Sequence, residues 1–135
     1  MIFRKATVEI NRETELRRAL CHLLNRQKDA IPGFYLEDTS RGVNGRAVGY
    51  IYGFVEAALK QLNLSVNHPD GKKLILSIFN EFDSGRGDEL LLHLTKGLKE
   101  NPEYIKGITL GSTQYRDWLN SGGIKIPTGW AHCFD

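Results

Sequence analysis

The chain has 135 residues, 41% of them apolar and 25% charged, with a formal net charge of +2. That length and balance describe one domain, residues 1–135, able to bury its own core without disulfides or metal, and they exclude both a disordered chain and a strongly polybasic one. Cys21 and Cys133 lie near opposite ends and are expected to be buried thiols of a cytoplasmic protein, because "MIFRKATVEINRE" carries neither the unbroken apolar run nor the small-residue site of a secretory leader.

Residues 2–10, "IFRKATVEI", alternate enough to predict a short N-terminal strand. From Asn11 the period changes. Asn11 or Thr14 can cap a helix reaching Gln27, with Leu16, Ala19, Leu20, Leu23 and Leu24 on one face. Over the first 29 residues Arg4, Lys5, Arg12, Arg17, Arg18, Arg26 and Lys28 outnumber Glu9, Glu13, Glu15 and Asp29. Such a stretch reads first as a solvated helix surface laced with opposite charges, and second as a nucleic-acid contact. The connection that follows, "DAIPGFYLEDTSRGVNG", is long and is broken by Pro32, Gly33, Gly42 and Gly45; connections of that length are commonly functional.

A second helix is predicted from Asn44 to Asn63. Its sequence, "GRAVGYIYGFVEAAL", places Gly45, Gly49, Gly53 and Ala57 in one seam, with apolar residues around nearly the whole circumference. Each interior glycine costs about 1 kcal/mol relative to alanine. A seam without Cβ atoms offsets that loss when another backbone or a large ring lies directly against it. The apolar run from Ala47 to Leu59 contains Glu56 and is flanked by Arg46 and Lys60, so it falls short of the ~20 apolar residues of a membrane span, and no membrane partner is expected.

A third helix follows "NHPDGKK", with Asn67 as cap, Pro69 in the first turn and Leu74, Ile75, Ile78, Phe79 and Phe82 inward. "DSGRG" ends it. A fourth begins at Asp88 as cap, turns Leu90, Leu91, Leu94 and Leu98 inward, and stops at Asn101 and Pro102. A fifth carries Tyr104, Ile108, Gly111, Tyr115 and Trp118 at helical spacing, with Gly107 and Gly111 as breaking points and as partners for the first seam. The tail "GGIKIPTGWAHCFD" is irregular, and Ile124, Ile126, Trp130 and Phe134 are its anchors across the bundle. The fold class is therefore mostly α: a bundle of about five helices with one short strand.

No catalytic motif stands out. Of the histidines, His93 has an acid, Glu89, one helical turn away, half of a metal site or a surface pair. Cys21-His22 and His132-Cys133 supply only adjacent ligands, so neither a metal nor a cofactor is expected. The glycines of "SGRG" suggest an anion nest, yet Glu81, Asp83, Asp88 and Glu89 bracket it. "SRGVNGRAVG" lacks the lysine and hydroxyl of a phosphate loop, although Arg41 and Arg46 beside a helix start can hold a carboxylate or phosphate. Glu37 with Glu56 and a histidine would suit acid-base chemistry in a small enzyme or ligand-binding domain. No nucleophile sits in a triad order.

"GYIYGFVEA" at 49–57 and "KGLKENPEY" at 96–104 resemble the helical Tai and resistance-associated immunity proteins, which neutralise type VI secretion amidases. The matching positions are Gly49, Tyr50, Ile51, Gly53, Glu56, Ala57, Asn101, Pro102 and Glu103. The match covers about half of the chain, and the paired cysteines that family members carry in the body of the fold have no counterpart between Cys21 and Cys133. The resemblance implies a helical binder with no catalysis of its own.

These readings converge on a small, non-catalytic module of inhibitor, immunity or anti-defence type whose partner is another protein. The rival readings are the enzyme or ligand-binding domain and a nucleic-acid regulator using Arg12, Arg17, Arg18 and Arg26. The expected contact surface is the loop bearing Phe34, Tyr35, Glu37, Asp38, Arg41 and Arg46, residue types that include those favoured at interface hot spots, with Trp130 as a second anchor. Self-association into a homo-oligomer is open on the same composition.

Overall fold

The computed structural model describes the backbone of residues 2–134 and the side chains of residues 13–134. Five α-helices and a terminal 3-10 helix make up the described chain: α1 Ile2–Asp29, α2 Gly45–Gln61, α3 Pro69–Phe82, α4 Gly87–Gly97, α5 Pro102–Asn120 and the 3-10 turn Gly129–Phe134. Between α1 and α2 a small antiparallel ribbon joins β1 Glu37–Asp38 to β2 Gly42–Val43, pairing Glu37 with Val43 and Asp38 with Gly42.

The predicted N-terminal strand is absent: α1 begins at Ile2 and passes through Asn11 and Thr14 without a boundary. The reason lies in what the sequence lacks, since neither glycine nor proline occurs before Pro32, so nothing stops a helix that Arg, Lys, Ala and Glu favour. The side chains of Arg4, Lys5, Glu9 and Arg12 in that basic stretch lie outside the described residues.

Helix α2 is the centre of the bundle. Twelve of its seventeen residues are buried, which is why its apolar residues encircle the helix rather than forming a stripe. Asn44 caps it by accepting from the Ala47 N–H at 3.0 Å and donates through Nδ2 to the Cys133 carbonyl at 3.0 Å, so one side chain fixes both the helix start and the tail. The seam question resolves in α5. A Cβ on Gly49 or Gly53 would strike the backbone of Tyr104 and Ile108, and reciprocally a Cβ on Gly107 or Gly111 would strike the backbone of Arg46, Tyr50 and Phe54. Residue numbers rise together along this contact, so α2 and α5 run parallel with their backbones touching. Far from splitting α5, Gly107 and Gly111 are what let it approach. Ala57 continues the row, buried.

Other helix starts differ in detail from expectation. His68, not Asn67, caps α3, its Nδ1 accepting from the Asp70 N–H at 3.2 Å, with Pro69 at the first position. Asp88 lies inside the first turn of α4, where the Gly87 N–H is satisfied at 2.7 Å by Asn80 Oδ1 from α3. Asn101 caps α5 with Pro102 at its first position. No helix of the described residues is long and apolar enough to cross a membrane.

Candidate functional site

Trp130 is not a surface anchor. Its ring is 0% exposed, edge-on to Phe34 at 5.0 Å and to Phe82 at 5.3 Å, and stacked on Tyr50 at 5.8 Å. Its indole N–H donates to the Ala47 carbonyl at 3.2 Å and its backbone N–H to Gln27 Oε1 at 3.0 Å. The last turn is thus core, held by side-chain amides. Gln27, 6% exposed, donates to the Tyr50 hydroxyl at 3.0 Å, and that hydroxyl reaches Gln114 Oε1 at 3.0 Å. Gln114 Oε1 also accepts from the N–H groups of Thr128 and Gly129. Burial pushes the Tyr50 hydroxyl far above its ordinary pKa, so it serves as a neutral relay between two amides. Cys21 and Cys133 are both buried and not joined by a disulfide, and burial raises the Cys21 thiol. Of the four expected tail anchors, Trp130 and Phe134 do pack across the bundle, but Ile124 is 85% exposed and Ile126 43%, because Gly122 and Gly123, both at positive φ, swing that segment outward before it returns at Gly129.

The loop from Phe34 to Arg46 divides into an inner and an outer face. Phe34 turns inward, against Trp130, Phe134 and Phe82, so it contributes packing more than contact surface. Leu36 is buried and accepts from the Asn44 N–H at 2.8 Å, which fastens the base of the ribbon. At its tip the Asp38 carboxylate takes the Ser40 N–H at 2.8 Å and the Ser40 hydroxyl at 2.7 Å, and Gly42 adopts φ +77°, a turn for which glycine is suited. These bonds from Ser40, aided by the Arg41 guanidinium, hold Asp38 well below the usual carboxylate range. Arg41 lies 3.9 Å over the Tyr35 ring and pairs with Asp38 at 3.0 Å. Tyr35 in turn meets the edge of Phe134. The pinned ribbon therefore presents a planar cation to the outside, with the half-buried Tyr35 ring packed beneath it.

Beside it, a polar cavity of about 450 Å³ opens between the ribbon and the N-terminal ends of α2 and α5, lined among others by Tyr35, Arg41, Asn44, Arg46, Asn101 and Glu103. Because α2 and α5 are parallel, both positive helix ends meet at this rim. Arg46 holds Glu103 through Nε at 2.7 Å and Nη2 at 2.6 Å, and Lys106 holds the other Glu103 oxygen at 3.2 Å. The Arg46 and Lys106 contacts lower the Glu103 pKa.

Glu37 faces elsewhere. Its carboxylate meets the Arg86 guanidinium from the α3–α4 turn, with His93 Nε2 at 3.7 Å from its other oxygen. Arg86 also takes Glu89 at 2.8 Å, so the expected Glu89–His93 pair is replaced by two pairs that tie the ribbon to α4. A cleft of about 190 Å³ there is lined by Glu37, Thr39, Asp83 and Arg86, and burial, then the nearby Glu89, raises the Asp83 pKa. Among the described residues no group of three or more His, Cys, Asp or Glu is placed to hold a metal.

The sequence reading placed Tyr35, Asp38, Arg41 and Arg46 on one loop, and the fold brings Tyr35, Arg41 and Arg46 around one cavity, with Asp38 behind Arg41; Glu37 and Trp130 belong to other neighbourhoods. It missed Glu103 as a surface residue of this site, although "NPE" carried the signal of a helix start. The two stretches behind the immunity-protein resemblance fall on α2 and on the junction of α4 with α5. Comparison of the chain with protein-family models, with curated proteins and with solved structures finds no match.

Proposed function

We propose that this protein is a small non-catalytic module that binds another protein through the ribbon and the adjoining cavity, in the manner of an inhibitor, immunity or anti-defence protein. The observation that carries this reading is the exposed Arg41 guanidinium, backed by the half-buried Tyr35 ring and set in the turn of a ribbon whose base is fastened at Leu36 and whose tip is fastened at Asp38. Tyrosine and arginine lead the residue types at interface hot spots, and a rigid presentation lowers the entropy lost on binding. The filled aromatic core behind the ribbon favours the same reading over an enzyme, since its large side chains occupy the interior where a substrate would need room. Glu37 and His93, an acid-histidine pair near the surface loop, share an ion-pair cluster with Arg86.

The test is capture from a lysate of the source organism with the wild-type chain, an Arg41→Glu, Arg46→Glu double variant, and an Arg116→Glu, Lys125→Glu control placed near the C-terminal end of α5 and in the segment after it. A partner retained by wild type and control but lost to the double variant is the expected result. Equal capture by all three rejects the surface.

A further inference from the structure

Resting on that reading, we infer that the cavity between the ribbon and the paired helix starts receives a carboxylate from an acidic stretch of the partner polypeptide. Two guanidiniums border it, and each already grips a carboxylate of its own chain: Arg46 grips Glu103 through two nitrogens, and Arg41 grips Asp38 at 3.3 and 3.0 Å. In both pairs the two guanidinium nitrogens converge on one carboxylate oxygen, so both cations are already turned toward carboxylates at the cavity rim.

The internal carboxylates are placed so that they can give the arginines up. Glu103 keeps Lys106 on its other oxygen, and Asp38 keeps the Ser40 N–H and hydroxyl. Neither is orphaned when an incoming acid takes the guanidinium. Both pairs are substantially solvent-exposed, so exchanging one carboxylate for another carries little desolvation cost. Meanwhile the Tyr35 ring holds the plane of Arg41.

Charge and volume select the class of ligand. The two helix starts add partial positive charge at the rim beside Arg41 and Arg46, so the space favours an anion over a neutral or cationic group. A space of about 450 Å³ exceeds one carboxylate and accommodates the side chain with flanking peptide.

The test titrates the full chain with a hexaglutamate peptide and, separately, with inorganic phosphate, read by amide chemical shifts. The peptide is expected to saturate with shifts at Tyr35, Asn44 and Arg46, and to outcompete phosphate. Arg41→Gln, Arg46→Gln should weaken it about tenfold or more, the scale of losing charge-assisted bonds. Glu103→Gln should strengthen it several-fold by removing the internal competitor, a change that a purely structural role for Glu103 does not produce. Thermal unfolding of each variant checks the fold. No saturable peptide binding, phosphate binding equal to peptide, or weaker binding by Glu103→Gln overturns the inference. If a partner is captured through the ribbon yet the peptide neither binds nor competes, the carboxylate site falls and the protein-binding reading stands. Peptide binding with capture unchanged in the double variant does the reverse.

Discussion

The α2–α5 seam and the ribbon surface sit at the two ends of a range of tolerance. In the seam, four glycines bring two backbones into contact, with no side chain to move aside. At the ribbon and cavity, contacts are made by long charged side chains, each with a second partner or with water available to replace a lost one. The first region has no side chain that can adjust, whereas the second can exchange one charged partner for another while its backbone stays pinned. Rigidity behind and exchangeability in front suit the protein-binding role proposed above.

The comparison is broken most severely in the seam. Gly53→Ala gains about 1 kcal/mol of helix propensity, yet its methyl meets the Ile108 backbone, and overpacking of that kind costs about 1–3 kcal/mol or more. Backbone cannot swing away as a side chain can, so the clash should win. Urea unfolding should show a net loss of about 2 kcal/mol, and Gly53→Val should abolish the cooperative transition. Gln27→Ala should come next, about 2 kcal/mol from leaving the buried Trp130 N–H and Tyr50 hydroxyl short of a partner; here intrinsic tryptophan fluorescence reports whether the tail leaves the core. Arg41→Gln should change stability by no more than about 0.5 kcal/mol in the same assay, and a larger loss would mean that the ribbon is structural.

The smallest effect is a titration. The Glu103 pKa is lower in the folded chain than its ordinary 4.5, so the stabilisation from its Arg46 and Lys106 pairs is whole above that ordinary value and is lost as pH falls through the lower, folded value. Carboxylate NMR should follow this, and Arg46→Gln should move the Glu103 midpoint upward toward 4.5. An unchanged midpoint would show that Arg46 does not hold it.

Much of the scaffold was legible in the sequence because its signals are local. Proline and glycine punctuate α3, α4 and α5, apolar residues recur at helical spacing, and glycines inside a helix call for a compensating close approach that Gly107 and Gly111 then supply. What escaped was set at long range or over very short spans. A ribbon with two residues per strand has no periodicity to read, and the helical run through residues 2–10 overrode an alternation that resembled a strand. The burial of Trp130 depends on Gln27, 103 residues away, and on Gln114, ordinary polar residues whose role appears only when the chain is folded. Of the candidate site, the residue types were visible but not the partition between Phe34 inside and Arg41 outside.

The seating of Trp130 against Ala47 and Gln27 has a consequence for synthesis. The centre of the bundle cannot close until residues 129–134 have been made, so the helices that precede them wait with part of their apolar surface uncovered. A chain cut before Trp130 should therefore keep the Tyr50, Phe34 and Phe82 rings uncovered and bind a hydrophobic dye that the 135-residue chain does not.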